Sequence, residues 1–86
     1  MSLFWEDHAW EEYLEWQVQD KKTLKKINQL IKDIQRNAFV GIGNPEPLVG
    51  NLSGMWSRRI DKKNRIVYYE ENGLIHIISC KGHYDD

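Results

Sequence analysis

Two hydrophobic periods alternate along this chain. A short aromatic run, Leu3-Phe4-Trp5, has the composition of a strand. From Asp7 the spacing turns helical: Trp10, Tyr13, Leu14 and Val18 fall on one side, with Glu11, Glu12 and Glu15 on the other. A second helix follows. Asp20 can cap it, and Leu24, Ile27, Leu30, Ile31 and Ile34 form one apolar stripe, with Asn37 placed to end it. Lys21, Lys22, Lys25, Lys26, Lys32 and Arg36 lie largely outside that stripe. Residues 38–54 lose the periodicity, with Gly41, Gly43, Pro45, Pro47, Gly50 and Gly54 reading as a long loop of the kind that is usually functional or disordered. Three strand patterns close the chain, at 55–60, 65–70 and 74–80, the last two joined through the hairpin signal Asn72-Gly73. The order β-α-α-loop-β-β-β predicts an α+β fold, two N-terminal helices packed on a small antiparallel β-sheet.

Length and composition narrow the classes. Eighty-six residues make one domain, 1–86, with no room for a second core. A 41% apolar and 29% charged composition is that of a globular chain. No apolar run approaches the ~20 residues of a membrane helix, and the start lacks a signal peptide's basic and apolar regions. A lone cysteine, Cys80, excludes an internal disulfide and a cysteine zinc cluster. The expected location is the cytoplasm, with no membrane partner.

Charge changes the picture more. The net charge is −1, yet residues 1–20 carry six acids and no Lys or Arg. Residues 21–65 carry eleven basic residues against Asp33, Glu46 and Asp61. So basic a middle argues for an anionic partner held by one face. The plainer alternative is that many of these lysines simply solvate a helix.

Within that middle, Glu46 sits in Asn44-Pro45-Glu46-Pro47, a stiff extended segment able to present one carboxylate at low entropic cost. By composition alone the plainer reading is a solvated acid on a stiffened crossover. Arg58, Arg59 and Arg65 crowd one hairpin; alternation sends Arg58 and Arg59 to opposite faces, and whether Arg59 shares a face with Arg65 depends on the turn, since a five-residue connection at 60–64 would pair them and a four-residue one would separate them. Two guanidinium groups on one face suit phosphate contact, or form an ordinary polar surface. His83 and Tyr84 follow the last strand, where chain ends often fray, but His is well suited to proton transfer near neutrality. His76 reads as a solvent-facing strand residue, and His8 is assigned nothing. No phosphate loop, nucleophile elbow or metal-ligand spacing is visible, so no metal or cofactor is expected. One acid, one His, arginines and a basic face suit RNA cleavage by the RNA's own 2′-OH.

Taken together, Trp5…Trp10, Lys25-Lys26-Ile27-Asn28, Gly43-Asn44-Pro45-Glu46-Pro47-Leu48, Asn51-Leu52-Ser53-Gly54-Met55-Trp56-Ser57-Arg58-Arg59-Ile60, Arg65-Ile66-Val67-Tyr68 and His83-Tyr84 resemble the YoeB (Txe) toxins of the RelE/ParE superfamily. The resemblance implies a RelE-like microbial RNase fold. It also implies a toxin of a type II toxin–antitoxin system that enters the ribosomal A site and cleaves mRNA there. Glu46 matches the family's general base, His83 its general acid and Arg65 the arginine at the scissile phosphate. Arg59 matches a second basic residue nearby, and Tyr84 the terminal aromatic beside the mRNA. The implied partners are a YefM-like antitoxin, the ribosome and mRNA, operator DNA only through the antitoxin, and often a second copy of the chain. Lys21, Lys22, Lys25 and Lys26 are the candidate ribosome-docking residues.

Two departures stand out. Ile42, Asn44 and Val49 take positions where better-known members carry lysines, and Asp85-Asp86 extend past the tyrosine. Both lower the positive potential near the expected site. Rival readings are a ParE-like, non-catalytic gyrase inhibitor and a decayed RNA- or antitoxin-binding module. The acid–base assignment also has an alternative on physical grounds: a carboxylate is a weak base at neutral pH, so a neutral His83 could take the proton instead.

Overall fold

The computed structural model describes residues 1–83. Strand β1 (Ser2–Trp5) leads into helices α1 (Asp7–Gln19) and α2 (Lys21–Arg36), then β2 (Glu46–Pro47), β3 (Trp56–Arg59), β4 (Arg65–Glu71) and β5 (Leu74–Ser79). The strands form one sheet in the order β1-β5-β4-β3-β2. This is the expected two-helix α+β arrangement, with one difference: β1 runs parallel to β5, so the sheet is mixed. Alternation along four residues reveals which side chains are buried but not the direction of pairing, which the helical crossover decides.

One residue separates the helices. The Asp20 N–H closes α1 on the Trp16 carbonyl (3.0 Å), and its carboxylate accepts from the Lys22 and Thr23 N–H groups at the start of α2. The Thr23 hydroxyl and backbone bonds hold this carboxyl below its ordinary pKa. On α2 the predicted stripe faces the sheet: Ile27, Leu30, Ile31 and Ile34 are buried and Leu24 packs at the edge. Asn37 ends the helix, its side chain accepting from the Phe39 and Val40 N–H groups.

Helix α1 is turned differently from the prediction. Ala9, Glu12 and Trp16 face inward, whereas Trp10, Leu14 and Val18 are 44, 44 and 89% exposed. An acid was expected outside, but the Glu12 carboxylate accepts the Cys80 N–H at 2.8 Å, a bond that compensates for lost water. Trp10 instead joins Trp5 and Tyr13 in an aromatic cluster toward the surface.

The core lies between the helices and one face of the sheet, built from Ile27, Leu30, Ile34, Ile66, Tyr68, Ile75, Ile77 and Cys80. The 38–54 segment is more ordered than a loop: it contributes β2, a short helical turn at Gly50–Leu52 and the buried Ala38 and Leu48. Pro47 fits because β2 is an edge strand, where one missing donor goes unused. At the other end, Asn72 and Gly73 take positive φ (53° and 77°) in the β4–β5 turn.

Candidate active site

Strand register decides which side chains share a face. Ile66 and Tyr68 point into the core, so Arg65 and Val67 project from the side opposite the helices. Cα partners across an antiparallel ladder project to the same side. Glu46 pairs with Ser57, Ser57 with Val67, and Val67 with Ser79, which places the Glu46 side on that open face. Arg59 pairs directly with Arg65, the register a five-residue connection predicts, about 7 Å along the strands from the Glu46 row. Ser57 and Val67, 2% and 4% exposed, continue the Glu46 row across β3 and β4.

His83 reaches this region through its neighbour. The Gly82 carbonyl accepts the Arg65 N–H at 3.0 Å, and the Gly82 N–H donates to Asn64 Oδ1 at 2.8 Å. The chain after β5 therefore runs beside the first residue of β4, and the exposed His83 comes next. The Arg65 guanidinium leans over the hairpin turn, Nη1 donating to the Asp61 and Asn64 carbonyls at 2.6 and 3.1 Å. Arg59, Arg65, Lys62 and Lys26 line one open recess at the hairpin's end, beside a second recess lined by Lys22 and Lys26. Lys21 and Lys25 are exposed elsewhere on α2. Tyr84, Asp85 and Asp86 lie outside the described residues.

The third arginine has another role. Arg58 is fully buried and shares the core-facing side of β3 with Trp56. Its Nη1 meets Asp33 Oδ2 at 2.5 Å and the Ile42 carbonyl at 3.1 Å, and Nη2 meets the Asn37 carbonyl at 2.6 Å. Its Nε donates to the Tyr68 hydroxyl, which donates in turn to the Ala38 carbonyl. Asp33 also accepts from the Ile42 N–H and from Arg36. The Ile42 and Arg58 hydrogen bonds pull its carboxyl down to about 2, whereas burial pushes the Tyr68 hydroxyl up. Gly41 is required here: with φ 141°, an added Cβ would stand 1.9 Å from Asp33 Oδ2. This buried cluster ties residues 37–42 to the sheet and so fixes the approach to Glu46. It had a trace in the sequence: one acid near an apolar helix stripe, and one arginine on the inward side of a strand.

His76 is only half-buried and lies in an aromatic stack, its ring 4.3 Å from Tyr69 and 5.3 Å from Phe4. His8 pairs with Glu12 at 3.1 Å. Among the described residues no group of His, Cys, Asp and Glu is arranged to hold a metal ion, and no helix is long and apolar enough to cross a membrane.

Residues 5–84 match the family model of the YoeB-like toxin of bacterial type II toxin–antitoxin systems. The chain is 50% identical over 84 residues to Toxin YoeB of Escherichia coli K12, covering 98% of this chain and all of that one. A YoeB/ParE toxin from Agrobacterium tumefaciens superimposes with a TM-score of 0.93 at 42% identity, over 98% of this chain and all of that one. A Staphylococcus aureus protein, 47% identical with a TM-score of 0.89 and 98% of both chains covered, has been solved as a YoeB dimer and in a heterotetrameric YoeB–YefM complex.

Proposed function

Starting from the fact that this chain belongs to the YoeB-like toxins of bacterial type II toxin–antitoxin systems, we propose that it is an endoribonuclease that cleaves mRNA in the ribosomal A site. The observation that carries this reading is the common open face of Glu46, Arg59 and Arg65, with Gly82 bonded to the Arg65 backbone and His83 next in line.

In the proposed reaction Glu46 removes the proton from a ribose 2′-OH. That oxygen attacks the adjacent phosphorus, and the P–O5′ bond breaks. His83 protonates the departing 5′ oxygen, leaving a 2′,3′-cyclic phosphate and a 5′-hydroxyl end. Arg65, with Arg59 behind it, balances the charge that builds on the phosphate oxygens, and its planar fork suits two of them at once. The Tyr84 ring is suited to stack on a neighbouring base. All these roles fall to side chains of the protein, so the reaction needs no added cofactor.

The ribosome supplies the positioning that so small a site lacks, holding the mRNA backbone in line for attack. Lys21, Lys22, Lys25 and Lys26 dock on ribosomal RNA. A YefM-like antitoxin neutralises the toxin, as the S. aureus complex suggests, and operator DNA is reached only through it. The homodimer has its precedent in the same relative. The site of action is the cytoplasm.

The test is cleavage of a translated and a naked mRNA by the wild type and by Glu46→Ala. A specific cut only in translated mRNA, slowed about 10²-fold or more by the substitution, is expected. Equal cutting of both RNAs would show that the ribosome contributes nothing. Absence of any cut, with poisoning of DNA gyrase, would favour the ParE-like alternative.

A further inference from the structure

The β5 ladder ends at Ser79, yet the residues leading to His83 are held firmly. Both backbone groups of Cys80 bond to α1 side chains: its N–H donates to Glu12 Oε1 at 2.8 Å, and its carbonyl accepts the Trp16 Nε1–H at 2.9 Å. Lys81 lies 5.2 Å over the Trp16 ring and reaches Gln19 Oε1 at 3.0 Å and Glu15 Oε1 at 3.3 Å. Gly82, turning at φ 82°, is then taken by Asn64 and Arg65 through both of its own backbone groups. The tail is pinned first to the acidic helix and two residues later to the first residue of β4.

Glu12 is costly where it stands. The residue is 8% exposed, and its carboxylate meets the Cys80 N–H and the exposed His8 imidazole rather than a lysine or arginine. An apolar residue would pack there without that penalty, but it would leave the Cys80 N–H without an acceptor as the strand ends. Cys80 is buried, and burial above all pushes its thiol up to about 12, away from the reactive thiolate form.

We propose that Glu12 and Trp16 are positioning residues for the cleavage: they fix Cys80, and through Gly82 they set where His83 stands relative to Arg65. The proposal rests on His83 acting in the reaction described above. It adds α1, which holds none of the reacting groups, to the machinery.

The informative variants are Glu12→Gln, whose amide oxygen can still accept the Cys80 N–H, Glu12→Ala, which cannot, and Trp16→Phe, which keeps a ring but loses its N–H. Single-turnover cleavage is followed over a range of ribosome concentrations. Glu12→Ala and Trp16→Phe should lower the rate at saturation about 10- to 100-fold with the half-saturating concentration unchanged, because misplacement by about an ångström costs that much. Glu12→Gln should stay within about threefold of wild type, since the accepted bond survives. On the residual rate of His83→Gln the same two substitutions should have little further effect, as groups acting as a unit are not additive. Wild-type rates in folded Glu12→Ala and Trp16→Phe, or an equal loss in the His83→Gln background, would overturn the proposal. Wild-type cleavage by His83→Gln would instead remove the role of His83. Amide exchange at Gly82 then decides the anchor alone: faster exchange in Glu12→Ala upholds it, and unchanged exchange overturns it.

Discussion

Arg58 and Arg59 are neighbours in sequence and opposites in environment. Arg59 is exposed beside Arg65, while Arg58 is fully buried against Asp33, Tyr68 and the carbonyls of Asn37, Val40 and Ile42. Alternation along β3 made the division of faces legible in the sequence, but not the partner waiting inside, since Asp33 is 25 residues away and on another element. Removing one member leaves the other charged and buried, so Arg58→Met should cost about 3–5 kcal/mol in urea unfolding, and much of that loss should return in Arg58→Met/Asp33→Leu. The pair also sets an acid limit. The Asp33 pKa is lowered from 3.8 to about 2 on folding, so its contribution to stability is complete above the unfolded value and fades as pH falls through about 2. The stability gap between wild type and Asp33→Asn should therefore be constant near pH 5–7 and shrink below about pH 4. A gap unchanged down to about pH 2 would contradict this. In the proposed reaction the Arg65 guanidinium fork, more than its charge, holds the phosphate at the open face. Arg65→Lys should slow cleavage about 10²-fold, and a rate near wild type would mean that a point charge suffices.

At the scale of elements, periodicity disclosed both helices, the Asp20 junction, the three C-terminal strands and the Asn-Gly turn. It misplaced the buried side of α1, because a carboxylate satisfied by a backbone N–H and an indole bonded to a carbonyl are polar contacts invisible to an apolar count. It also passed over β2, whose two residues acquire their strand character only by pairing with Trp56 and Ser57. That short strand carries Glu46, so the acid's position depends on how the preceding loop is tethered. Gly41→Ala tests the link. The new Cβ would meet Asp33 at 1.9 Å at a φ that side chains rarely adopt, so the 37–42 tether should loosen, at a cost of about 1–3 kcal/mol in strain. Cleavage should fall more than in a surface variant of equal stability, because Glu46 loses its register with Ser57. An equal fall in the two would detach the loop from the site.

Over the whole molecule, a net charge of −1 conceals an acidic first helix and a basic middle, and the fold carries Lys22 and Lys26 to the hairpin end that holds Arg59 and Arg65. Neutralising Lys21, Lys22, Lys25 and Lys26 together should raise the half-saturating ribosome concentration and flatten its salt dependence, the log–log slope falling by about one for each phosphate that is no longer neutralised. The saturated rate should stay within about twofold of wild type if docking and chemistry are separate. The sequence left open whether Arg59 and Arg65 share a face, which the β3–β4 register decides, and the path that brings Gly82 to Arg65 was not legible, since it involves α1 side chains 64 and 68 residues away from Cys80. Everything proposed for this face turns on the RNA's own 2′-OH being the nucleophile. Ribosomes programmed with an mRNA carrying a single 2′-deoxy nucleotide on the 5′ side of the cut site put that to the test, together with identification of the ends formed on the all-ribose control. The expected result is no cut at the substituted position, and a 2′,3′-cyclic phosphate with a 5′-hydroxyl on the control. Cleavage of the deoxy-substituted message at the same position, or a 5′-phosphate on the control product, would contradict it.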